Sequence, residues 1–207
     1  MNRENLKLIN NDYSPLIEIV RSLCKENKSL IIAIDGRCGG GKSTLGKLIT
    51  ERFDCNLFHM DDFFLPFEMR TPERLGEAGG NVHYERFNEE VIRSLQNQEA
   101  VIYRKYLCNK GAFDNPIKVE TKLLNIVEGS YSLHPTLKKH YDYKIFIDVA
   151  SNVQYERILK RNGEEKLQDF LSKWIPMEEH YFTELDIKSH CDLIVDTTMI
   201  NQQTATC

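Results

Sequence analysis

The sequence predicts an α/β fold built on a parallel β-sheet. Short apolar runs of the length of buried strands alternate along the chain with segments whose apolar residues recur at helical spacing. One run, the β-branched stretch at 31–34, stops at a glycine-rich loop that leads directly into a helical pattern. A buried strand, a tight loop and a helix in that order are typical of a parallel α/β unit. At 207 residues, we expect a single domain over 1–207.

The composition argues against several classes of function. The formal net charge is −4 and no basic stripe stands out, so a general nucleic-acid or membrane-surface binder is not expected. The apolar runs are too short to span a membrane, and residues 1–5 lack the apolar core of a signal peptide. The six cysteines show neither a Cys-x-x-Cys pair nor metal-ligand spacing, so we expect free thiols and a cytoplasmic protein.

A phosphate-binding motif follows the first buried strand. The spacing Gly-x-x-x-x-Gly-Lys-Ser-Thr is filled by Gly36, Arg37, Cys38, Gly39, Gly40, Gly41, Lys42, Ser43 and Thr44. Small residues let consecutive backbone N–H groups curl around a phosphate, Lys42 adds positive charge at the outer phosphates, and the Ser43 hydroxyl is a ligand for Mg²⁺. The motif therefore predicts ATP and Mg²⁺ as cofactors, with a glycine turn that binds nothing as the alternative.

Cys38 lies inside this loop, unlike the other five cysteines. We hypothesise that oxidation of its thiol blocks nucleotide binding. Thiol modification is then expected to lower the affinity for ATP.

Two further predicted strands end on acidic residues. The strand at 56–60 ends at Asp61 and Asp62, and the strand at 123–127 ends at Glu128. Ligands of open parallel sheets bind beyond the carboxyl ends of the strands, so these acids lie where chemistry is expected. Adjacent residues point in different directions, so one of the two aspartates can face the cleft while the other caps a turn. Glu128 takes the Walker-B position, which holds Mg²⁺ against the phosphates, with capping as its alternative role.

Between these acidic strand ends lies an insertion at 63–119 that we expect to bind the substrate. Residues 66–86 form a long irregular stretch, a helix is expected over 85–98, and two strand segments flank 109–115 as a β-hairpin. The residues expected to contact the substrate come from this insertion and from the preceding strand end. They are Asp62, Arg70, Arg74, His83, Arg86, Arg104, Lys105 and Tyr106. A solvated charged loop is the alternative reading of this stretch.

The termini complete the order of elements. Residues 1–12 are polar and expected to be flexible, and Ser14-Pro15 begins a helix with Ser as its N-cap and Pro at its first position. The last strands are expected over 143–149 and 191–195.

The region 151–182 has the pattern of a helical lid. Its first helix carries Arg157 and Arg161 four residues apart on one face, and Asn162-Gly163 ends that helix. An amphipathic helix follows and is expected to break or kink at Pro176. Two arginines near a phosphate-transfer site can neutralise the charge that spreads over a migrating phosphoryl group. A solvated basic face is the alternative.

Taken in order, four motifs resemble those of uridine kinases and nicotinamide riboside kinases in the phosphoribulokinase/uridine kinase group. They are the phosphate loop, the stretch His-Met-Asp-Asp-Phe-Phe-Leu-Pro at 59–66, Val127-Glu128-Gly129, and the helix with two arginines. The resemblance covers about residues 29–196. It implies a P-loop three-layer sandwich with a five-stranded parallel sheet and a mobile lid.

The resemblance also implies roles for individual residues. Asp61 takes the place of the base toward the acceptor hydroxyl, and Glu128 supports Mg²⁺. Arg157 and Arg161 come from the lid. The loop after Val195, which includes Thr197, passes near adenine.

The chain departs from uridine kinases on the acceptor side. His83 stands where those enzymes carry an aspartate that grips the ribose, and Tyr106-Leu107 stands where their hairpin has Tyr-Asp. Arginines pair bidentately with phosphate or carboxylate, so the arginines of the insertion favour an anionic acceptor as one alternative.

The leading hypothesis is an ATP- and Mg²⁺-dependent kinase that transfers the γ-phosphoryl group to a hydroxyl of a nucleoside-like small molecule. Alternatives are a kinase for an anionic metabolite and a nucleotide-regulated switch that hydrolyses ATP slowly. The expected partner is a small-molecule acceptor, with no nucleic acid or membrane and with a homo-oligomer possible.

Overall fold

The structure is a computed structural model, and it describes residues 4–8, 12–26 and 28–200. Its centre is a parallel sheet of six strands. In spatial order they are β1 (Glu4–Lys7), β10 (Leu193–Asp196), β9 (Tyr143–Asp148), β2 (Leu30–Gly36), β8 (Leu124–Glu128) and β3 (Cys55–His59). The predicted α/β class and parallel sheet are confirmed.

The expected strand number of five is wrong by one, because β1 adds an edge strand beside β10. Glu4 pairs with Leu193 and Lys7 with Asp196, and the Leu8 amide donates to the Asp196 carbonyl at 3.0 Å. The expectation of a flexible segment over 1–12 is therefore wrong for 4–8 and 12, while 1–3 and 9–11 lie outside the described residues.

Both faces of the sheet are buried, which makes the fold three-layered. Along β2, Ile31 and Ala33 belong to one apolar core, whereas Ile32 and Ile34 belong to the other. Successive side chains of a strand point to opposite faces, so an unbroken apolar run requires helices on both sides.

The helices on the sheet follow the predicted order. They are α1 (Ser14–Leu23), α2 (Lys42–Thr50), α6 (Pro135–Lys138), α7 (Ser151–Asp169) and α8 (Ile175–Glu184). Gly163 has a φ of +81° and interrupts α7 at the predicted position, so the lid helix is two helices across a kink. Pro176 does not end the helical segment: it lies in the first turn of α8, next to the change from π-helical to α-helical structure at Ile175. A π-helical turn (Phe170–Trp174) joins α7 to α8.

The insertion at 63–119 folds beside β3. It contains α3 (Pro72–Gly76) and a continuous helix of α4 (Tyr84–Phe87), a π-helical turn (Asn88–Ile92) and α5 (Arg93–Gln96). The predicted hairpin is present as two antiparallel ladders. They pair β4 (Val101–Tyr103) with β7 (Ile117–Val119), and β5 (Tyr106–Leu107) with β6 (Ala112–Phe113).

Short 3₁₀ turns connect the remaining elements, at Cys24–Glu26, Met60–Phe63, Phe67–Met69 and Ile187–His190. Within the described ranges, no helix is long and apolar enough to cross a bilayer.

Candidate active site

The phosphate loop begins where β2 ends, and glycine is required at both of its turns. Gly36 has a φ of +131°, and a Cβ there would lie 2.1 Å from the Ile147 carbonyl oxygen of the neighbouring strand. Gly41 has a φ of +102° and is the residue from which α2 starts. Only glycine adopts such angles without strain. The loop therefore places the N-terminus of α2 at the edge of the sheet, where backbone N–H groups and the helix dipole favour an anion.

Lys42 is the buried cation of this loop. Its Nζ donates to the carbonyl oxygens of Gly36 and Arg37 at 2.6 and 3.0 Å, and to Ser130 Oγ at 3.1 Å. The ammonium group is thus held at the mouth of the loop by neutral oxygens alone, and an incoming phosphate would be its first charged partner among these contacts.

Ser43 and Glu128 bring two oxygen donors together beside the loop. Ser43 Oγ lies 3.3 Å from each carboxylate oxygen of Glu128, which is buried at the end of β8. The His59 Nδ1 contacts Glu128 Oε1, and this hydrogen bond raises the pKa of His59. A hydroxyl and a carboxylate are oxygen ligands of the kind that Mg²⁺ prefers, so the donor set fits this ion.

Asp61 and Asp62 face different ways. Asp61 lines the cavity next to the phosphate loop, and its carboxylate makes no hydrogen bond with any residue that the structure describes. Asp62 accepts from the Tyr103 hydroxyl at 3.3 Å and pairs with Lys105 at 3.1 Å, which ties the hairpin to the 3₁₀ turn. Asp62 is therefore engaged in the fold and is not part of the cavity lining, so its predicted role in substrate binding stays a prediction.

The environment of Asp61 alters its acidity. Its side chain is open to the solvent in the cavity but has protein on most sides, and this desolvation raises its pKa. Lys42 opposes the increase, while Glu128 and Asp62 add to it. A carboxylate with a raised pKa and no internal partner is suited to accept a proton from a substrate.

One cavity of about 830 Å³ brings these groups together. Its lining from the phosphate loop and the two strand ends comprises Cys38, Gly39, Gly40, Gly41, Lys42, Ser43, Thr44, Asp61 and Glu128. Arg157 and Arg161 of the lid helix also line it. A volume of this order accommodates a small-molecule ligand.

The two lid arginines differ in what they contact. Arg157 is buried, and its guanidinium donates to Thr197 and Ile200 carbonyl oxygens at 2.7 and 2.9 Å, so it fixes the loop after β10. Arg161 is exposed, and its Nε donates to the side chain of Asn162 at 2.7 Å. Thr197 itself is buried behind the phosphate loop, where its hydroxyl donates to the Gly40 carbonyl at 2.8 Å.

The family described as "Phosphoribulokinase / Uridine kinase family" matches residues 31–172, which is more than half of the chain. The chain belongs to this family. The match includes the phosphate loop, both acidic strand ends and the two arginines of α7, all of which contribute residues to the cavity.

Individual relatives agree with the family assignment. The chain is similar to a uridine kinase of Clostridium botulinum strain Okra, with 28% identity over 191 residues, covering 81% of this chain and 88% of the relative. It is also similar to a cytidylate kinase of Clostridium perfringens, with 24% identity over 177 residues, covering 71% and 81%. A "Possible Uridine Kinase" structure from Bacillus stearothermophilus shares the fold, with a TM-score of 0.65, 16% identity and coverage of 88% and 100%.

The arginines of the insertion, predicted to bind the substrate, are not part of the cavity lining and make contacts within the fold instead. Arg70 donates to the Leu65 carbonyl at 2.8 Å, Arg86 pairs with Glu90 at 2.9 Å, and Arg104 donates to the Asp114 carbonyl at 2.7 Å. Arg74 binds both carboxylate oxygens of Glu85, at 2.7 and 2.8 Å. These side chains hold the insertion together because each finds an acceptor within its own segment.

Four other predicted ligands also lie outside the cavity lining. Tyr106 does not project from the hairpin, because it is buried and its hydroxyl accepts from the Phe67 amide at 3.0 Å. His83 is half-buried beside Arg86, and desolvation lowers its pKa. Gly36 acts through its backbone, and Arg37 pairs with Asp148 at 2.8 Å and with Glu179 of α8.

Glu178 is a cavity residue that no sequence pattern indicated, and it is buried on α8. Its carboxylate accepts from the Cys38 amide at 2.9 Å and from the Ser130 hydroxyl, whose oxygen also contacts Lys42. The contact spans 140 residues of sequence and depends on how α8 lies across the loop. Its only local signal is an acidic residue within an otherwise apolar helical face.

The same carboxylate affects Cys38. Burial, and then the charge of Glu178, raise the pKa of the Cys38 thiol to about 12. The reactive form of cysteine is the thiolate, so this thiol is a poor target at neutral pH. Its oxidation, predicted to block nucleotide binding, is therefore expected to be slow.

Asn81 is a second cavity residue that the sequence did not indicate. Its side-chain Oδ1 and Nδ2 are both buried without a hydrogen-bond partner, and the Tyr131 hydroxyl lies beside it outside hydrogen-bond geometry. Phe64 and Tyr131 line the cavity next to it. Buried amides are normally paired, so this one is free to bind a ligand or a water.

Proposed function

We propose that this protein is an ATP- and Mg²⁺-dependent kinase that transfers the γ-phosphoryl group to a hydroxyl of a nucleoside-like small molecule. The observation that carries the proposal is the meeting of Lys42, the Ser43–Glu128 pair and the unpartnered Asp61 in one cavity. Membership of the family and the similarity to a uridine kinase support it.

In this mechanism the chain positions the phosphates and neutralises their charge. The backbone of 39–44 and the Lys42 ammonium bind the phosphate groups, and Arg161 adds positive charge from the lid. Ser43 and Glu128 would hold Mg²⁺, which neutralises the charge that develops on the phosphates when it is bound. The role of Arg157 is to fix the loop that carries Thr197 and Ile200 at the side of the nucleotide.

Asp61 would orient the acceptor hydroxyl and accept its proton. The transition state of phosphoryl transfer is loose, so the proton leaves late and a carboxylate is a sufficient base. Because Asp61 has no internal hydrogen bond, its carboxylate does not have to give up a partner before it binds the acceptor.

The acceptor side of the cavity favours an uncharged molecule. Phe64 and Tyr131 offer apolar contact, and the Asn81 amide offers one donor and one acceptor. The arginines that would favour an anion are bound within the insertion instead. The alternative of an anionic acceptor rests on the similarity to a cytidylate kinase, so a nucleotide acceptor belongs in any test.

A nucleotide-regulated switch is the alternative from another functional class. A switch protein needs the phosphate loop but has no use for an acceptor base, whereas Asp61 lies in the cavity without a structural partner. The two readings differ in whether a small acceptor accelerates ATP turnover.

The deciding experiment measures ADP formation with MgATP and a panel of uridine, cytidine, other nucleosides, CMP and small acids. We expect a nucleoside to accelerate turnover at least tenfold over the rate without acceptor, with CMP and the acids inactive. Asp61→Asn should lower kcat by about 10²–10⁴-fold, the contribution of a general base, while the Kd for ATP stays within twofold.

Two results would contradict this proposal. Equal turnover with and without every acceptor favours the switch, and acceleration by CMP alone favours the anionic acceptor. An Asp61→Asn variant with full activity would remove Asp61 from the mechanism.

A further inference from the structure

The cavity extends past the phosphate loop to the side of β2 opposite β3, the strand after which Asp61 lies. Tyr13 and Ile200, which follow β1 and β10 on that side, line the cavity together with Leu48 of α2. These three side chains form its apolar end. Tyr13 lies outside the 31–172 range that matches the family, and the resemblance, which places the loop after Val195 near adenine, assigns Tyr13 no role.

Tyr13 is positioned by the start of α1. Its carbonyl accepts from the Ile17 amide at 3.1 Å, which makes it the residue from which the helix begins. The ring packs against the apolar core on one side of the sheet, and its hydroxyl oxygen lies 4.0 Å from the place that a Cβ on Gly41 would take. Tyr13 therefore extends from the core to the surface of the phosphate loop.

Ile200 forms another wall of this end, and Arg157 holds it in place. The Arg157 guanidinium donates to the Ile200 carbonyl at 2.9 Å, and the Ile200 amide donates to the Thr197 carbonyl at 3.1 Å. The hydrogen bonds of Arg157 to backbone carbonyls therefore hold this wall in position.

The direction of the bound nucleotide follows from the charges. The γ-phosphate must face Asp61 for transfer to an acceptor, and the other phosphates lie along 39–44. The nucleoside then leaves the loop on the opposite flank, where the side chains of Tyr13, Leu48 and Ile200 carry no charge. Aromatic and aliphatic walls are suited to a flat base, and stacking on an aromatic ring tolerates different bases.

We propose that Tyr13 binds the nucleoside part of the phosphoryl donor, with its ring against the purine base. The proposal rests on the proposed function only in taking a purine nucleoside triphosphate as the donor. Desolvation raises the pKa of Tyr13, while Arg157 opposes the increase, so the hydroxyl stays protonated at neutral pH and is a donor toward the ribose or the nearest phosphate.

The test compares ATP with inorganic tripolyphosphate, which has the same phosphates but no nucleoside. Isothermal titration with Mg²⁺ would measure the Kd of both for the wild type, Tyr13→Ala and Tyr13→Leu. We expect Tyr13→Ala to weaken ATP binding about tenfold, in the range of base–aromatic stacking, and to leave tripolyphosphate binding within twofold. Tyr13→Leu keeps the apolar packing against the core but removes the aromatic ring. It should therefore weaken ATP binding nearly as much as Tyr13→Ala does.

Tyr155→Ala is the matched control, because Tyr155 is an exposed aromatic residue of α7 that does not line the cavity. It should leave both affinities unchanged. Unchanged ATP affinity in a folded Tyr13→Ala or Tyr13→Leu protein would overturn the proposal. So would an equal loss for ATP and tripolyphosphate, which would mean damage to the loop. These are binding measurements, so a protein that binds ATP in this way but transfers no phosphoryl group would refute the proposed function and leave this inference standing.

Discussion

The phosphate loop and the insertion at 63–119 both supplied predicted ligand-binding residues, and the structure uses them differently. Seven of the nine loop residues, 38–44, line the cavity, whereas the arginines of the insertion lie outside it. In the loop the backbone conformation decides the outcome, since Gly36 and Gly41 have positive φ values that other residues adopt only with strain. In the insertion, the position of each arginine depends on which of many nearby acceptors its long side chain binds.

This difference shows which kind of sequence pattern predicts where the residues of a binding site lie. A fixed spacing of glycines marks the positions where the backbone turns in conformations that other residues avoid. The resulting path of the loop places Lys42 and Ser43. A cluster of arginines in the sequence does not determine where their side chains lie, because each guanidinium carries five donors that backbone carbonyls can satisfy. Arg74, for example, is bound by Glu85 and by the Gly80 and Val82 carbonyls at 3.0 and 3.1 Å.

Of the loop and the insertion, the loop is expected to show the larger effect on activity, from Lys42→Met. Methionine keeps the length of the side chain but removes the charge that meets the outer phosphates. Loss of such a preorganised group costs about 10²–10³-fold in rate, so kcat/KM should fall by that factor in the ADP-formation assay. Lys47→Met on the same helix is the control, because Lys47 is 72% exposed and makes only a 3.9 Å pair with Glu51. Similar activity in the two variants would show that the loop does not bind the transferred phosphate.

In the insertion, Arg74→Ala is expected to affect stability and not substrate binding. The substitution leaves two part-buried backbone carbonyls without their donor and breaks a pair in which Glu85 is 47% exposed, so a loss of about 1–2 kcal/mol is expected. Urea denaturation should show this loss, while the KM for the acceptor, measured on folded protein, stays within twofold. Arg93→Ala is the control. Arg93 forms an exposed pair with Glu89, worth under about 0.5 kcal/mol. A raised acceptor KM with unchanged stability would restore Arg74 as a substrate ligand.

The parts of the fold that could be predicted are those in which local pattern and topology agree. The apolar run before Gly36, and the acids at the ends of β3 and β8, meet at one edge because parallel strands share their carboxyl ends. The sixth strand could not be predicted, because the sequence Glu-Asn-Leu-Lys at 4–7 lies at an exposed edge and needs no apolar alternation. Glu178 could not be predicted either, since no local pattern states which loop α8 crosses.

Arg37 is the residue on which the comparison can be sharpened, because it belongs to the loop but behaves like the arginines of the insertion. Its Nε pairs with Asp148 at 2.8 Å, and Lys188 contacts the other carboxylate oxygen of Asp148 at 2.7 Å. Burial works to raise the pKa of Asp148, but the hydrogen bonds from Lys188 and Arg37 outweigh it, so the pKa is lowered overall.

The smallest effect is therefore expected from Asp148→Asn. A carboxylate with a lowered pKa stabilises the fold above its unfolded pKa of about 3.9, and this stabilisation is lost as the pH falls through the folded value. The variant should lose about 1 kcal/mol of stability at pH 7 and should show a weaker loss of stability below pH of about 4 than the wild type. Urea denaturation at several pH values measures both. The Kd for ATP should stay within twofold, because Arg37 holds the loop to β9 and α8 and does not line the cavity. A large loss of ATP affinity without a change in stability would mean that Arg37 binds the nucleotide after all, and that the loop acts through its side chains as well as its backbone.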